Sequence, residues 1–67
     1  MPSYRIYRVG HGGRLLLGEA FNAESDTLAI ETARVLQDAE RPMELWEGGR
    51  LVGRFSSLGL FTAGGSG

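Results

Sequence analysis

Ser25-Asp26-Thr27-Leu28-Ala29-Ile30-Glu31-Thr32-Ala33-Arg34-Val35-Leu36-Gln37-Asp38-Ala39-Glu40 organises the rest of the sequence, because it is the one stretch of this 67-residue chain that reads clearly as a helix. On a wheel at about 100° per residue, Leu28, Ala29, Thr32, Ala33, Leu36 and Ala39 fall on one side and Glu31, Arg34, Gln37 and Asp38 on the other. Ser25 is the N-cap candidate, its hydroxyl placed to accept from a first-turn N–H. Asp26 puts a carboxylate beside the positive helix end. Arg41-Pro42 is the expected stop, since a residue before proline is pushed out of the α region. Ile30 projects towards the polar side of this wheel and reads as a flank residue or a subunit contact.

The segments on either side read as β-hairpins. Tyr4-Arg5-Ile6-Tyr7-Arg8-Val9 is rich in aromatic and β-branched residues, as strands prefer, and carries apolar atoms on both faces. Gly10-His11-Gly12-Gly13 reads as the reversal that follows. Arg14-Leu15-Leu16-Leu17-Gly18-Glu19-Ala20-Phe21 is the second strand, with Leu15, Leu17 and Phe21 expected on one face and a bulge expected at Gly18. After the helix, Met43-Glu44-Leu45-Trp46-Glu47, Gly48-Gly49 and Arg50-Leu51-Val52-Gly53-Arg54-Phe55 spell strand, two-residue turn and strand. A plain two-residue turn sets Trp46 opposite Leu51 and Leu45 opposite Val52. Met43, Leu45 and Val52 then share one face, and Trp46, Leu51 and Phe55 the other. The expected fold is α+β with ββαββ order, one helix packed on a small, mainly antiparallel four-stranded sheet. Residues 1–57 form the single domain, and 58–67 form an apolar and then Gly-rich tail.

Composition narrows the function. There is no Cys, so neither disulfide nor thiolate metal site is available. With one His as well, no metal site and no cofactor is expected. No apolar run approaches the roughly 20 residues that span a membrane. The first residues lack the apolar core of a signal peptide, so a cytoplasmic protein with no membrane association is the expectation. All seven cations are Arg. Residues 1–18 carry +3, residues 19–47 carry −6 and residues 48–67 carry +2. The hairpins are basic and the helix region acidic.

Tyr4-Arg5-Ile6-Tyr7, Phe21-Asn22-Ala23, Ser25-Asp26, Ala29, Ala33-Arg34, Glu44-Leu45-Trp46, Arg50, Val52 and Arg54 resemble the pattern of a family of small uncharacterised bacterial ββαββ proteins. The resemblance covers roughly residues 4–55 and implies a fold and no catalytic residues. A weaker likeness is to the HicB-type antitoxins, whose half double-stranded-RNA-binding fold also places a hairpin before a helix; their Asp-Gly-Gly-rich loop and Pro-Gly-Cys signature are absent here.

No catalytic constellation stands out. The sole histidine, His11, lies in a Gly-rich turn, and no Ser/His/Asp, Cys/His or HExxH arrangement exists. The expected function is a small non-enzymatic protein-interaction module that self-associates as a homodimer or higher homo-oligomer and binds a protein partner. The expected contact residues are Ile30, Trp46, Leu51, Phe55, Leu58, Leu60 and Phe61, too apolar and too many for so small a chain to bury. The alternative is a nucleic-acid-binding or antitoxin-like regulatory protein. Its sheet face would combine Arg5, Arg8, Arg14, Arg50 and Arg54 with Tyr4, Tyr7 and Trp46, stacking bases and meeting phosphates. A net charge of −1 weighs against a basic footprint.

Overall fold

A computed structural model describes residues 1–37 and 41–64. Its elements in chain order are β1 (Ser3–Val9), a 3-10 turn (His11–Gly13), β2 (Leu15–Asn22), α1 (Asp26–Leu36), β3 (Met43–Glu47), β4 (Arg50–Phe55) and β5 (Phe61–Ala63). The strands form one antiparallel sheet in the order β2-β1-β3-β4-β5. The expectation of a four-stranded ββαββ fold is therefore corrected to a five-stranded sheet carrying one helix. The extra strand comes from the stretch read as a tail. Gly53 is the reason it can dock: a Cβ there would lie 2.2 Å from Phe61 Cζ and 2.7 Å from the Thr62 carbonyl oxygen. The Phe61 ring fills the space a side chain would take, and meets Phe55 with centroids 5.0 Å apart.

Two bulges set which residues face the helix. Side chains alternate across a strand, so one inserted residue reverses the face of everything beyond it. In β4 the register runs from Trp46↔Leu51 to Leu45↔Gly53, which leaves Val52 as the inserted residue. Phe55 consequently lies opposite Met43, 1% exposed in the core, and not beside Trp46 and Leu51 as the unbroken hairpin requires. In β2 the register shifts between Tyr7↔Leu17 and Arg5↔Ala20, at the Gly18 bulge anticipated from sequence. Phe21 is thereby separated from Leu15 and Leu17 and pairs with Tyr4, stacking on its ring at 5.8 Å.

The core between helix and sheet consists of Tyr4, Ile6, Ala23, Ala29, Ala33, Met43, Leu45, Val52 and Phe55, with Phe21, Ile30, Leu36 and Phe61 packed around it. The helix starts as its sequence dictates, with the Ser25 hydroxyl accepting from Leu28 N–H at 3.2 Å. It ends earlier than expected: Gln37 turns extended, and its side-chain amide donates to the carbonyls of Arg41 and Ser56. The expected helical residues Asp38 to Glu40, Ala39 among them, lie outside the described residues. The helix is also rolled relative to its sequence wheel. Tyr4 Oη donates to Asp26 Oδ1 at 2.8 Å, and Arg50 grips the same carboxylate with two guanidinium nitrogens at 2.9 and 3.0 Å. The Asp26 side of the helix thus faces the sheet, and Ala29 and Ala33 are buried there with Ile30 packed beside them. Leu28 and Val35 are left 50% and 83% exposed.

Candidate interaction surface

The helix covers one face of the sheet. Nothing among the described residues covers the other. Its composition follows from the register, strand by strand. One cross-strand row reads Leu17–Tyr7–Glu44–Arg54–Thr62, the next reads Ala20–Arg5–Trp46–Leu51, and Leu15 and Val9 extend it at one end. An antiparallel sheet with one solvated face normally turns polar residues to water. Here Leu15, Leu17, Val9, Tyr7, Trp46 and Leu51 point that way. Leu17 is 71% exposed.

The centre of this face is held in place by its own side chains. The Tyr7 and Trp46 rings meet edge to face, centroids 6.4 Å apart at 87°, a favoured aromatic geometry. Trp46 Nε1 donates to Glu44 Oε1 at 3.0 Å, and Arg54 Nε donates to Glu44 Oε2 at 3.2 Å. Arg5 Nη1 donates to the Gly18 carbonyl at 3.1 Å. The only carboxylate on the face among the described residues is thus neutralised within it, and the surface offers apolar contact area with little net charge.

The expected contact residues are distributed unevenly. Trp46 and Leu51 are neighbours on the uncovered face. Ile30 and Phe61 pack against the core, and Phe55 is buried in it. Leu58 and Leu60 are exposed in the turn between β4 and β5, 85% and 67% respectively. The residues that sequence reading missed are Leu15, Leu17 and Val9; Tyr7 enters it only beside Trp46, in the nucleic-acid alternative. The three consecutive leucines hid the period of two, and the pairing of Tyr7 with Leu17 and of Val9 with Leu15 shows which of them share a face with Tyr7.

The five arginines proposed as one basic face are divided between the two. Arg5 and Arg54 lie on the uncovered side, and Arg54 is paired with Glu44. On the helix side, Arg8 is paired with Glu19, and its Nη2 donates to the Leu36 carbonyl at 3.0 Å. That pairing holds the Glu19 carboxyl below its ordinary range. Arg50 is shared between Asp26 and Glu47. The Arg50 hydrogen bonds, and then the Tyr4 hydroxyl, hold the Asp26 carboxyl below its usual value. Burial, followed by the bond to Asp26, pushes the Tyr4 phenol up to about 12. Arg14 is exposed at the start of β2.

His11 is exposed on the 3-10 turn, beside a shallow depression formed with Val9, Gly10, Arg41 and Pro42. Among the described residues no three His, Cys, Asp or Glu side chains converge as metal ligands, and no helix is long and apolar enough to cross a membrane. No protein-family model, curated protein or solved structure matches the chain.

Proposed function

We propose that this protein is a small non-enzymatic interaction module whose working surface is the uncovered sheet face, and that its partner is a protein. The observation that supports this reading is the row of large apolar side chains turned away from the helix, centred on the Tyr7–Trp46 pair. Aromatic anchors inside an apolar patch with a polar margin are what protein interfaces use for affinity. The internal Glu44–Arg54 pair suits a neutral partner surface better than a polyanion. Nucleic acid is the less favoured reading, because three of the five arginines that would meet phosphates are engaged by carboxylates and the other two do not lie together.

Site-specific photo-crosslinking in cells tests this reading. A photoreactive residue at Arg54, on the uncovered face, is expected to capture a discrete protein. The same residue at Glu31, on the solvent side of the helix, is expected to capture none. Equal capture from both positions, or none from Arg54, would overturn it.

A further inference from the structure

The β2 edge carries a feature that neither the core nor the uncovered face accounts for. β2 is the outermost strand on its side of the sheet. Its three consecutive leucines are all exposed, Leu15 44%, Leu16 43% and Leu17 71%. Leu15 and Leu17 lie on the uncovered face, whereas Leu16 lies opposite Arg8 on the helix side. A partner seated on one face covers at most part of this set. A strand laid alongside β2 covers all three.

The backbone is oriented for such a strand. Val9 N–H donates to the Pro42 carbonyl, on the β3 side. Val9 and, two residues back, Tyr7 thus turn their hydrogen-bonding groups away from β2. Their partners Leu15 and Leu17 are then non-hydrogen-bonded pairs with β1, because antiparallel pairs alternate in this way. Leu15 and Leu17 therefore direct their N–H and C=O groups outward, off the edge of the sheet. Natural edges are blunted by shortness, charge, proline or a bulge, and the β2 bulge at Gly18 lies beyond the three leucines. β5, at the opposite edge, is three residues long. β2 is eight residues long, and its stretch from Leu15 to Leu17 carries no charge or proline.

We infer that β2 pairs antiparallel with β2 of a second copy of this chain, about a two-fold axis at Leu16, to make one continuous ten-stranded sheet. In that register Leu15 and Leu17 of each copy exchange N–H···O bonds with Leu17 and Leu15 of the other. The two Leu16 side chains meet as the closer, non-hydrogen-bonded pair. A two-fold axis perpendicular to a sheet keeps each side chain on its own face, so both helices lie on one side and the two uncovered faces join. Charge agrees with this arrangement. Arg14, on the helix side by alternation, falls opposite Gly18 of the second copy and next to its Glu19, itself on the helix side through its bond to Arg8. The pairing is bounded at the bulge. There the Gly18 carbonyl accepts from Arg5. This association is separate from the proposed partner surface and stands without it.

Solution mass of the full chain tests the inference. The wild-type chain is expected to have the mass of two chains. Leu16→Lys and Leu16→Glu, each alone, are expected to have the mass of one, because like charges meet at the axis. An equimolar mixture of the two variants is expected to regain the mass of two by pairing Lys with Glu, which no folding defect could mimic. Trp46→Arg is expected to leave the mass unchanged while abolishing capture at Arg54. A monomeric wild type, a wild-type mass for Leu16→Lys, or a mixture that stays monomeric would overturn the edge pairing and leave the uncovered-face reading untouched. Loss of mass in Trp46→Arg alone would place the second copy on the face and overturn the edge pairing.

Discussion

Leu45 and Trp46 are consecutive residues of β3, and they belong to two different regions of the molecule. Leu45 is completely buried beneath the helix among Ile6, Ala29 and Val52. Trp46 lies on the opposite face, half-buried, with Tyr7 at its edge and Glu44 on its indole N–H. Both faces carry large apolar side chains, and only one has a layer to bury them. An eleven-residue helix covers a patch of sheet and no more. The two faces divide the labour: the covered face holds the fold, and the uncovered face keeps apolar area that folding does not use.

The largest expected effect lies in the covered region. Phe55→Ala removes a fully buried ring that packs on Phe61 and lies under the Arg34 guanidinium, 5.5 Å from the ring centre. Truncating a buried Phe costs about 3–5 kcal/mol, enough to unfold a domain this small, as circular dichroism would show. A Phe55→Ala chain that keeps a wild-type melting curve would show that the covered face does not hold the fold.

Next in size is Gly53→Val, which forces a side chain into the Phe61 ring and the Thr62 carbonyl. The expected cost is about 1–3 kcal/mol, with faster amide exchange in β5 and unchanged protection in β1. Ser25→Ala removes the cap of the covering helix and is expected to cost about 1 kcal/mol, read in the denaturant midpoint with an unchanged slope.

The smallest effects are slopes against pH, since the charged groups of the Tyr4–Asp26–Arg50 cluster are largely exposed and such pairs contribute little each. Tyr4 has its folded pKa raised from 10.0 to about 12, so its contribution is complete below 10 and disappears as pH rises towards 12. Asp26 has its folded pKa depressed below 3.8, so its contribution is complete above that value and lost as pH falls further. Melting temperature followed across pH should therefore fall at both ends. Tyr4→Phe should remove the alkaline slope that Tyr4 contributes.

Local residue type made the strand segments, the Gly48-Gly49 turn and the Ser25 cap legible in the sequence. What it did not reveal was phase. Val52 and Gly18 each interrupt an alternation of period two, and beyond each interruption the faces exchange. This is why Phe55 read as a surface residue and Phe21 as a companion of Leu17. Gly53 carried a usable signal, because a glycine inside a strand marks a bulge or a close approach, and here it marks both. The docking of Phe61 on that glycine is a contact between segments and has no local signature, so the fifth strand read as a tail. The roll of the helix was likewise hidden. It shows only in contacts between segments: Ala29 and Ala33 packing in the core, and Asp26 meeting Arg50, 24 residues downstream. For the contact surface, Trp46 and Leu51 were legible as a cross-turn pair, while Leu15, Leu17 and Val9 needed the register.

The most direct test of the division between the faces is one substitution made on each. Equilibrium urea unfolding of Leu45→Thr and of Leu17→Thr should be compared with wild type, at a dilution where each chain has the mass of a monomer. Leu45→Thr is expected to lose several kcal/mol, about what a buried large-to-small change costs together with an unpaired hydroxyl. Leu17→Thr is expected to stay within about 0.5 kcal/mol of wild type, as exposed substitutions do. Comparable losses at the two positions would contradict the division between the faces, because the uncovered face would then be holding the fold as well.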